Sequence, residues 1–245
     1  MNRLLVSTAT LNEASPTLPK EALRHLKVLR PKPGEVFELF DGQGRWRHYA
    51  WNGGLRAITP TPQASQPSQA PQITLFACVT KGSRWDWTIA KATELGVSRI
   101  VPVISARTIV RLPQSERAAK RDRWQRVAED AARQSDAKWL PRLDTAIDFA
   151  DALPLVRETA CFFGALTSPP SSPLAEAIRR ARVAARKPLG PVSTFIGPEG
   201  DFTDEELAAL TAIATPTSFG PTILRAETAA IFAVSVIAAE FQLDR

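Results

Sequence analysis

The chain has 245 residues, 44% of them hydrophobic, and a formal net charge of +6 at pH 7. This length suits one large domain, or a small domain followed by a medium one, with an ordinary globular core. No apolar stretch is long and charge-free enough to span a membrane, and residues 1–10 lack the apolar core of a signal peptide.

Cysteine and histidine are scarce in this chain. Cys78 and Cys161 are far apart, and each lies in an apolar run, which predicts buried free thiols and a reducing, cytoplasmic location. With two histidines and no cysteine cluster, the chain is not expected to bind a metal.

Charge is unevenly distributed along the chain. Basic residues exceed acidic ones in residues 1–60 and again in 99–142, whereas residues 201–245 are acidic. This distribution favours a polyanionic partner such as a nucleic acid. The alternative is a basic surface that is simply solvated.

Residues 1–60 are predicted to form a small β-barrel domain. Apolar residues at helical spacing predict one helix over Thr17–Arg30. Short strands separated by glycine turns follow at Val36–Phe40, Trp46–Trp51 and Leu55–Thr59. Residues 61–71 are rich in proline and carry no charge, so they are expected to form an extended linker.

Residues 72–245 alternate between strand and helix patterns, which predicts an α/β domain with a mostly parallel sheet and helices on both faces. The predicted strands are Ile73–Val79, Arg99–Ser105, Ala160–Phe163, Val192–Ile196 and Thr217–Phe219. The predicted helices are Trp85–Leu95, Gln114–Lys138, Pro173–Arg186, Thr203–Ala214 and Ala226–Phe241. The last helix is apolar nearly all round, so it is expected to be buried in the core or against a partner subunit.

Two glycine loops follow two of these strands. Ile196–Gly200 comes directly after an apolar strand and before a helix with a capping box, Thr203 and Glu206. Phe219–Gly220 forms the second loop and leads into residues 223–228. Because open α/β sheets bind ligands at the carboxyl ends of their strands, the two loops predict one cofactor pocket.

Several motifs in this chain match one known family. Lys81–Gly82 with Trp87–Val97, then Ile196–Gly200, then Ile223–Ala229, together with His25–Arg30, resemble the 16S ribosomal RNA uridine-N3 methyltransferases (RsmE type) of the SPOUT superfamily. The resemblance covers essentially the whole chain, in order and spacing. It implies a PUA-like RNA-binding β-barrel over residues 1–60 and a SPOUT α/β methyltransferase domain over 72–245 with a C-terminal trefoil knot. It also implies S-adenosylmethionine (SAM) as cofactor and an obligate homodimer with the active site near the subunit interface.

The chain departs from the family pattern at two places. Phe219 replaces the usual leucine before the glycine of the second loop. In residues 131–137, Arg133 replaces an acidic residue and Ala137 falls near the usual arginine. We therefore carry over no role for that stretch.

The site residues are assigned from these motifs. Glycines allow close approach of the main chain, and apolar side chains can line a slot for adenine. The expected SAM-binding residues are Gly164, Ile196, Gly197, Pro198, Glu199, Gly200, Phe219, Gly220, Ile223, Leu224 and Thr228. Arg225 and Glu227 are the expected catalytic residues, Arg225 by holding the base or a phosphate and Glu227 by bracing it or accepting a proton. The alternative for these two is a structural ion pair at the start of a helix.

Basic residues near the pocket and on the small domain are expected to contact RNA. They are Arg24, Lys27, Arg30, Lys81, Arg84, Lys91, Arg107, Arg121 and Arg126. Arg45, Arg47, Arg117, Lys120 and Arg123 could extend the same track. Lys91 and Glu94 could instead form a surface ion pair. Trp46 and Tyr49 are expected in the barrel core, although stacking on a base is an alternative.

These observations together predict a SAM-dependent enzyme that methylates N3 of one uridine in 16S rRNA of the 30S subunit. Two alternatives stay open at this point. One is a SPOUT methyltransferase acting on transfer RNA or on a ribose 2′-OH. The other is a non-catalytic RNA-binding assembly factor.

Overall fold

The computed structural model describes residues 1–65, 72–156, 159–165, 171–185 and 190–242. The chain divides into two compact units. Unit 1 comprises Met1–Ser68 and Glu129–Leu140, and unit 2 comprises Gln69–Ala128 and Pro141–Arg245. Residues 66–71 of the predicted linker and Arg186 of a predicted helix lie outside the described residues. The domain boundaries inferred from the sequence stay a prediction.

Unit 1 is built around a small sheet with the order β1-β2-β3-β4, and β5 also pairs with β3. Its strands are β1 (Asn2–Leu5), β2 (Val36–Phe40), β3 (Arg45–Trp51), β4 (Leu55–Ala57) and β5 (Gln63–Ala64). Its helices are α1 (Thr8–Asn12) and α2 (Lys20–Leu29). The core contains Leu4, Leu11, Phe37, Leu39 and Tyr49, all at most 1% exposed.

Several boundaries in unit 1 differ from the predicted ones. The helix expected over Thr17–Arg30 begins at Lys20, because Pro19 has an extended backbone, and it ends at Leu29, because Arg30 has a φ of 48°. Strand β1 and helix α1 were not predicted. Strand β1 pairs in parallel with β2, more than thirty residues away, and such a distant pairing leaves no local pattern.

A buried charge cluster joins residues 129–140 to the rest of unit 1. Arg3 donates to Glu38 at 2.7 Å, to the carbonyl of Ala132 at 2.5 Å and to the carbonyl of Ala137 at 2.9 Å. Lys138 donates to the same Glu38 carboxylate at 2.5 Å. The helix predicted to reach Lys138 ends earlier, at Gln134, because Asp136 turns the chain with a φ of 59°.

Unit 2 contains a parallel sheet with the strand order β12-β10-β11-β6-β7-β8, and β9 also pairs with β7. Its strands are β6 (Ile73–Cys78), β7 (Arg99–Ile104), β8 (Arg142–Leu143), β9 (Ile147–Asp148), β10 (Ala160–Gly164), β11 (Val192–Ile196) and β12 (Thr215–Thr217). Every pair in this sheet is parallel. The predicted parallel α/β domain is therefore confirmed.

Helices cover both faces of this sheet. They are α3 (Ser83–Glu94), α4 (Gln114–Gln134), α5 (Phe149–Ala152), α6 (Leu174–Ala185), α7 (Asp204–Thr211) and α8 (Ala226–Gln242), with a 3₁₀ turn at Leu153–Val156. Helices α3, α4, α6 and α8 pack on one face, and α5 and α7 on the other. Helix α8 buries Ala230, Ala233, Val234 and Ile237, but Phe232 is 37% exposed. The apolar residues of α8 are thus only partly covered within one chain.

Some features of unit 2 differ from the sequence prediction, and one predicted feature stays untested. The strand predicted at Thr217–Phe219 lies at Thr215–Thr217, because Thr217 pairs with Gly164 and the chain then turns away. The short elements β8, β9 and α5 were not predicted. The trefoil knot stays a prediction.

The described ranges contain no helix that is both long and apolar enough to cross a membrane. Within the same residues, no three His, Cys, Asp or Glu side chains are grouped as metal ligands would be.

Candidate cofactor and RNA site

A cavity of about 330 Å³ lies at the carboxyl ends of three neighbouring strands, β12, β10 and β11. In a parallel sheet these ends share one edge, which is where such sheets bind ligands. The two predicted glycine loops and the end of β10 meet at this cavity. The described residues that line it are Gly164, Ala165, Phe195, Ile196, Gly197, Pro198, Glu199, Asp201, Ser218, Phe219, Gly220, Thr222, Ile223, Leu224, Arg225, Ala226 and Ala229.

The first loop is held in one conformation by contacts along its length. Gly197 faces the ring of Phe202 so closely that a Cβ at residue 197 would lie 3.1 Å from a ring carbon. Asp201 has a φ of 59°, and its carboxylate accepts the N–H of Phe202 at 2.8 Å. Phe202 itself is buried. The predicted capping box follows, since Thr203 accepts the N–H of Glu206 and Glu206 accepts the N–H of Thr203.

Residues that follow β7 and β6 contact this loop from the side. Arg107 Nη1 donates to the carbonyls of Gly200 and Phe202 at 3.0 and 3.1 Å. The N–H of Ala106 donates to Glu206 at 2.9 Å. Arg84 pairs with Glu199 at 3.2 Å. The loop and the start of α7 are therefore attached to the turn after β7 and to the first turn of α3.

The second loop brings an aromatic ring over the end of β10. A Cβ at Gly164 would lie 2.6 Å from Cε2 of Phe219, so only glycine fits beneath that ring. Phe219 also contacts Phe232 of α8, with ring centroids 5.5 Å apart. Gly220 has a φ of 120°, a conformation that favours glycine.

Arg225 and Glu227 differ in their placement. Arg225 is exposed and lines the cavity, and its guanidinium contacts no acceptor or carboxylate in the described part of the chain. Glu227 and Thr228 are not among the described cavity-lining residues. One carboxylate oxygen of Glu227 is buried without a hydrogen-bond partner among the described residues. No ion pair joins Arg225 to Glu227 there, so the alternative of a structural pair at the helix start is not formed.

The predicted RNA contacts lie in both units. Arg24 and Lys27 on α2 are exposed, as is Arg30 directly after it. Lys81, Arg84 and Arg107 lie at the same edge of the unit 2 sheet as the cavity, because they follow the carboxyl ends of β6 and β7.

The remaining predicted contacts lie on α3 and α4. Lys91 donates to Glu94 at 2.8 Å, which confirms the ion pair that their spacing indicates. Arg126 is exposed, and the side chain of Arg121 is 42% exposed.

Two arginines in the extended track cannot contact a phosphate. Arg47 is 4% exposed and donates to the carbonyls of Leu11, Thr59 and Pro60. Arg117 is 9% exposed and donates to the carbonyls of Leu112 and Ala146 and to Asp148. The prediction that both contact RNA was wrong, because their guanidinium groups donate to backbone carbonyls and, for Arg117, to a carboxylate of the protein itself.

The core predictions for Tyr49 and for the two thiols are confirmed, whereas the one for Trp46 was wrong: Trp46 is only half-buried, and the ammonium of Lys138 lies 5.0 Å from its ring centroid. Tyr49 is fully buried, its hydroxyl lies 3.0 Å from the carbonyls of Leu11 and Glu13, and burial raises its pKa. Cys78 and Cys161 are free and buried. Burial raises the pKa of the Cys78 thiol to about 11 and that of Cys161 to about 12.

Sequence reasoning missed several cavity residues. Ala165, Ser218 and Thr222 adjoin glycine turns that were recognised, so the turns could have indicated them. The contact between Arg107 and the first loop has no local signal, because the residues it joins are 93 apart in the chain.

Comparison with known proteins supplies independent evidence. The model of an RNA methyltransferase domain matches residues 67–238, and that of an RNA methyltransferase PUA domain matches residues 18–50. The chain is 31% identical over 240 residues to ribosomal RNA small subunit methyltransferase E of Synechocystis sp., covering 96% of this chain and 76% of that protein. It is 32% identical over 222 residues to the Mycobacterium tuberculosis protein of the same name, covering 89% and 83%.

Solved structures agree with these relatives. The crystal structure of ribosomal RNA small subunit methyltransferase E from Neisseria gonorrhoeae, bound to SAM, superposes with a TM-score of 0.82 at 28% identity, covering 98% of this chain and 97% of that one. A methyltransferase from Legionella pneumophila in complex with SAM gives a TM-score of 0.82 at 25% identity, covering 97% and 96%.

Proposed function

The chain belongs to the RNA methyltransferase family that includes ribosomal RNA small subunit methyltransferase E, and on this premise we propose that it methylates N3 of one uridine in 16S rRNA, using SAM. The observation that carries the proposal is the cavity at the ends of β12, β10 and β11. Most of the residues assigned to SAM from sequence motifs line it.

The residues of the cavity fit this cofactor. SAM has a flat adenine, two ribose hydroxyls and a sulfonium, and no phosphate, so it needs an apolar slot with main-chain acceptors rather than a phosphate-binding loop. Phe219, Ile223 and Leu224 supply apolar surface, and residues 197–199 supply main-chain groups, whereas Gly200 is not among the described residues that line the cavity. The volume of about 330 Å³ lies in the range of small-molecule sites. When bound, SAM supplies an electrophilic methyl group.

The chain's own residues then align and activate the base. Arg225 lines the cavity without a partner among the described residues, so its guanidinium is free to donate to a uracil oxygen. Such a contact stabilises the negative charge that develops when N3 loses its proton. No ion pair joins Glu227 to Arg225 in the described structure, so we assign to Glu227, whose buried oxygen is unsatisfied there, a role in accepting that proton rather than in bracing the arginine.

The substrate has to be presented as an unpaired base. N3 of uracil is hidden in a Watson–Crick pair, so the target uridine must be single-stranded or flipped out. Exposed basic residues in both units provide phosphate contacts. In this proposal unit 1 binds the RNA, and unit 2 binds SAM and carries out methyl transfer.

We also propose the setting in which the enzyme acts. A homodimer would cover the exposed part of α8, including Phe232, and would place the cavity near the subunit interface. The two reduced thiols suit the cytoplasm, where the 30S subunit would be the substrate.

The proposal is tested by two measurements on the full chain. Calorimetry with SAM should show binding, and mass spectrometry should show one methyl group added to a uridine of 16S rRNA at N3. Running the reaction on 30S subunits and on free 16S rRNA identifies the substrate. SAM binding without a methylated uridine would favour another RNA target, and absence of SAM binding would favour a non-catalytic RNA-binding factor.

A further inference from the structure

Arg107 is an exposed residue, and its guanidinium contacts the first glycine loop. Its Nη1 donates to the carbonyls of Gly200 and Phe202, at 3.0 and 3.1 Å. These two carbonyls lie on either side of Asp201, whose φ of 59° is left-handed, a conformation that Asp and Asn adopt more readily than other non-glycine residues. One cation thus holds the main chain on both sides of the left-handed residue Asp201.

The contact surface of Arg107 extends beyond its charged group. A Cβ added to Gly200 would meet the Cβ and Cδ of Arg107 at 3.5 and 3.7 Å, so the aliphatic part of the arginine packs along that glycine. A Cβ at residue 200 would make ordinary van der Waals contact with this part of the arginine. The packing and the two hydrogen bonds together define where residues 200–202 lie.

The segment that carries Arg107 is itself well anchored. Ser105 and Thr108 are buried, and the N–H of Ser105 donates to the hydroxyl of Thr108 at 2.9 Å. The neighbouring Ala106 donates its N–H to Glu206 at 2.9 Å. Arg107 therefore projects from a turn that is fixed to the sheet and to the start of α7.

We propose that Arg107 is a positioning residue for SAM, acting through the main chain of the first loop. This inference rests on the proposed function. Arg107 is not among the described residues that line the cavity, whereas Gly197, Pro198, Glu199 and Asp201 of the loop are. The sequence pattern assigned Arg107 to RNA binding, but its two hydrogen bonds to the carbonyls of Gly200 and Phe202 indicate a role in holding the first loop.

The test separates donor affinity from RNA affinity. Arg107→Ala should weaken SAM binding, measured by calorimetry without RNA, by roughly tenfold or more, because two charge-assisted hydrogen bonds are removed. Arg107→Lys, which keeps the charge, should recover only part of that affinity, since an ammonium lacks the planar fork of a guanidinium. At saturating SAM, kcat should stay near the wild-type value while the KM for SAM rises.

Arg111→Ala is the matched control. Arg111 is an exposed cation further along the same connection after β7, and no hydrogen bond or ion pair joins its side chain to another described residue. This variant should keep wild-type SAM affinity. If Arg107→Ala binds SAM as tightly as wild type and binds RNA more weakly instead, the positioning role is overturned while the proposed function stands. A wild-type chain that binds no SAM would overturn the proposed function itself.

Discussion

Glycines at the edge of the unit 2 sheet differ in what occupies the space of the missing side chain. At Gly164 the ring of Phe219 comes within 2.6 Å of where a Cβ would be, whereas at Gly200 the nearest atom is 3.5 Å away. An aromatic ring that also contacts Phe232 cannot yield easily. Of these two glycines, Gly164 is therefore the less tolerant of substitution.

We expect Gly164→Ala to weaken SAM binding by displacing Phe219 from the wall of the cavity. Adding Phe219→Leu should restore much of the affinity, because leucine has no atoms where the phenylalanine Cε2 and Cζ lie. The measurement is calorimetry with SAM on both single variants and the double variant. Strictly additive effects of the two substitutions would show that the pair is not coupled.

Arg225 gives a prediction about rate rather than affinity. Arg225→Ala should slow methyl transfer by about 10²-fold or more, the usual effect of removing one donor to a developing anion, with a far smaller effect on SAM affinity. Single-turnover methylation and calorimetry measure the two quantities. Arg180→Ala is the control, because Arg180 is an exposed residue of α6 that pairs with Glu176. Equal losses of rate and SAM affinity in Arg225→Ala would contradict the proposed role.

The thiols provide a prediction about pH. Cys78 and Cys161 have pKa values raised by burial to about 11 and 12, above about 8.5 for an exposed thiol. The unfolded chain releases these protons first as pH rises, so their effect is to lower stability as pH increases from about 8.5 toward 11. At pH 8 both thiols should resist iodoacetamide in the native protein and react in urea. Rapid labelling of the native protein would show that they are accessible.

At the scale of elements, helix α7 begins directly at the end of the first glycine loop. Thr203 and Glu206 satisfy each other's backbone N–H groups, and Glu206 also accepts the N–H of Ala106. The acidic residues Asp204 and Glu205 lie in the first turn, where they suit the helix dipole. The start of this helix thus helps to fix the loop that lines the cavity.

Thr203→Ala should lower the free energy of unfolding by about 1 kcal/mol, since one capping hydrogen bond is removed. Urea unfolding of the full chain measures the change. Thr211→Ala is the control, because Thr211 is exposed within α7 and donates only to a carbonyl of its own helix. This variant should be neutral or slightly more stable, as alanine is the better helix former. A similar loss of stability in both variants would argue against a specific capping effect.

At the scale of the whole molecule, the net charge of +6 favours association with RNA before any specific contact forms. The buried Arg3, Arg47 and Arg117 bind carboxylates or carbonyls of the protein and contribute little to direct phosphate contact. Exposed cations remain on α2 and α4, and of these Arg121 also pairs with Asp122 and donates to the carbonyl of Leu143.

Charge reversal on α4 tests this electrostatic contribution. Arg121→Glu and Arg126→Glu should each weaken RNA binding, and the slope of log K against log salt should fall by roughly 0.7 for every phosphate that is no longer neutralised. Fluorescence anisotropy over a salt series measures both. Arg180→Glu changes the net charge equally on α6 and should have a smaller effect. If all three variants behave alike, net charge and not the α4 surface accounts for the affinity.

Local patterns in the sequence were enough for the principal elements of unit 2 and for both glycine loops. The apolar composition of residues 192–196 indicates a buried strand, and that of residues 226–241 indicates a buried helix. The capping box at Thr203 involves only residues that are neighbours in the chain. For the same reason most of the cavity-lining residues could be assigned. Such features depend on backbone propensity and on contacts within one or two turns.

Only the tertiary structure decided which groups the arginines bind and which strand pairs with β2 in unit 1. Arg3, Arg107 and Arg117 find their partners 35, 93 and 31 residues away, and β1 is defined by pairing with the distant β2. A long cationic side chain can reach either solvent or a buried carbonyl, and nothing in its near sequence distinguishes the two. Only the folded chain brings those carbonyls within hydrogen-bonding distance.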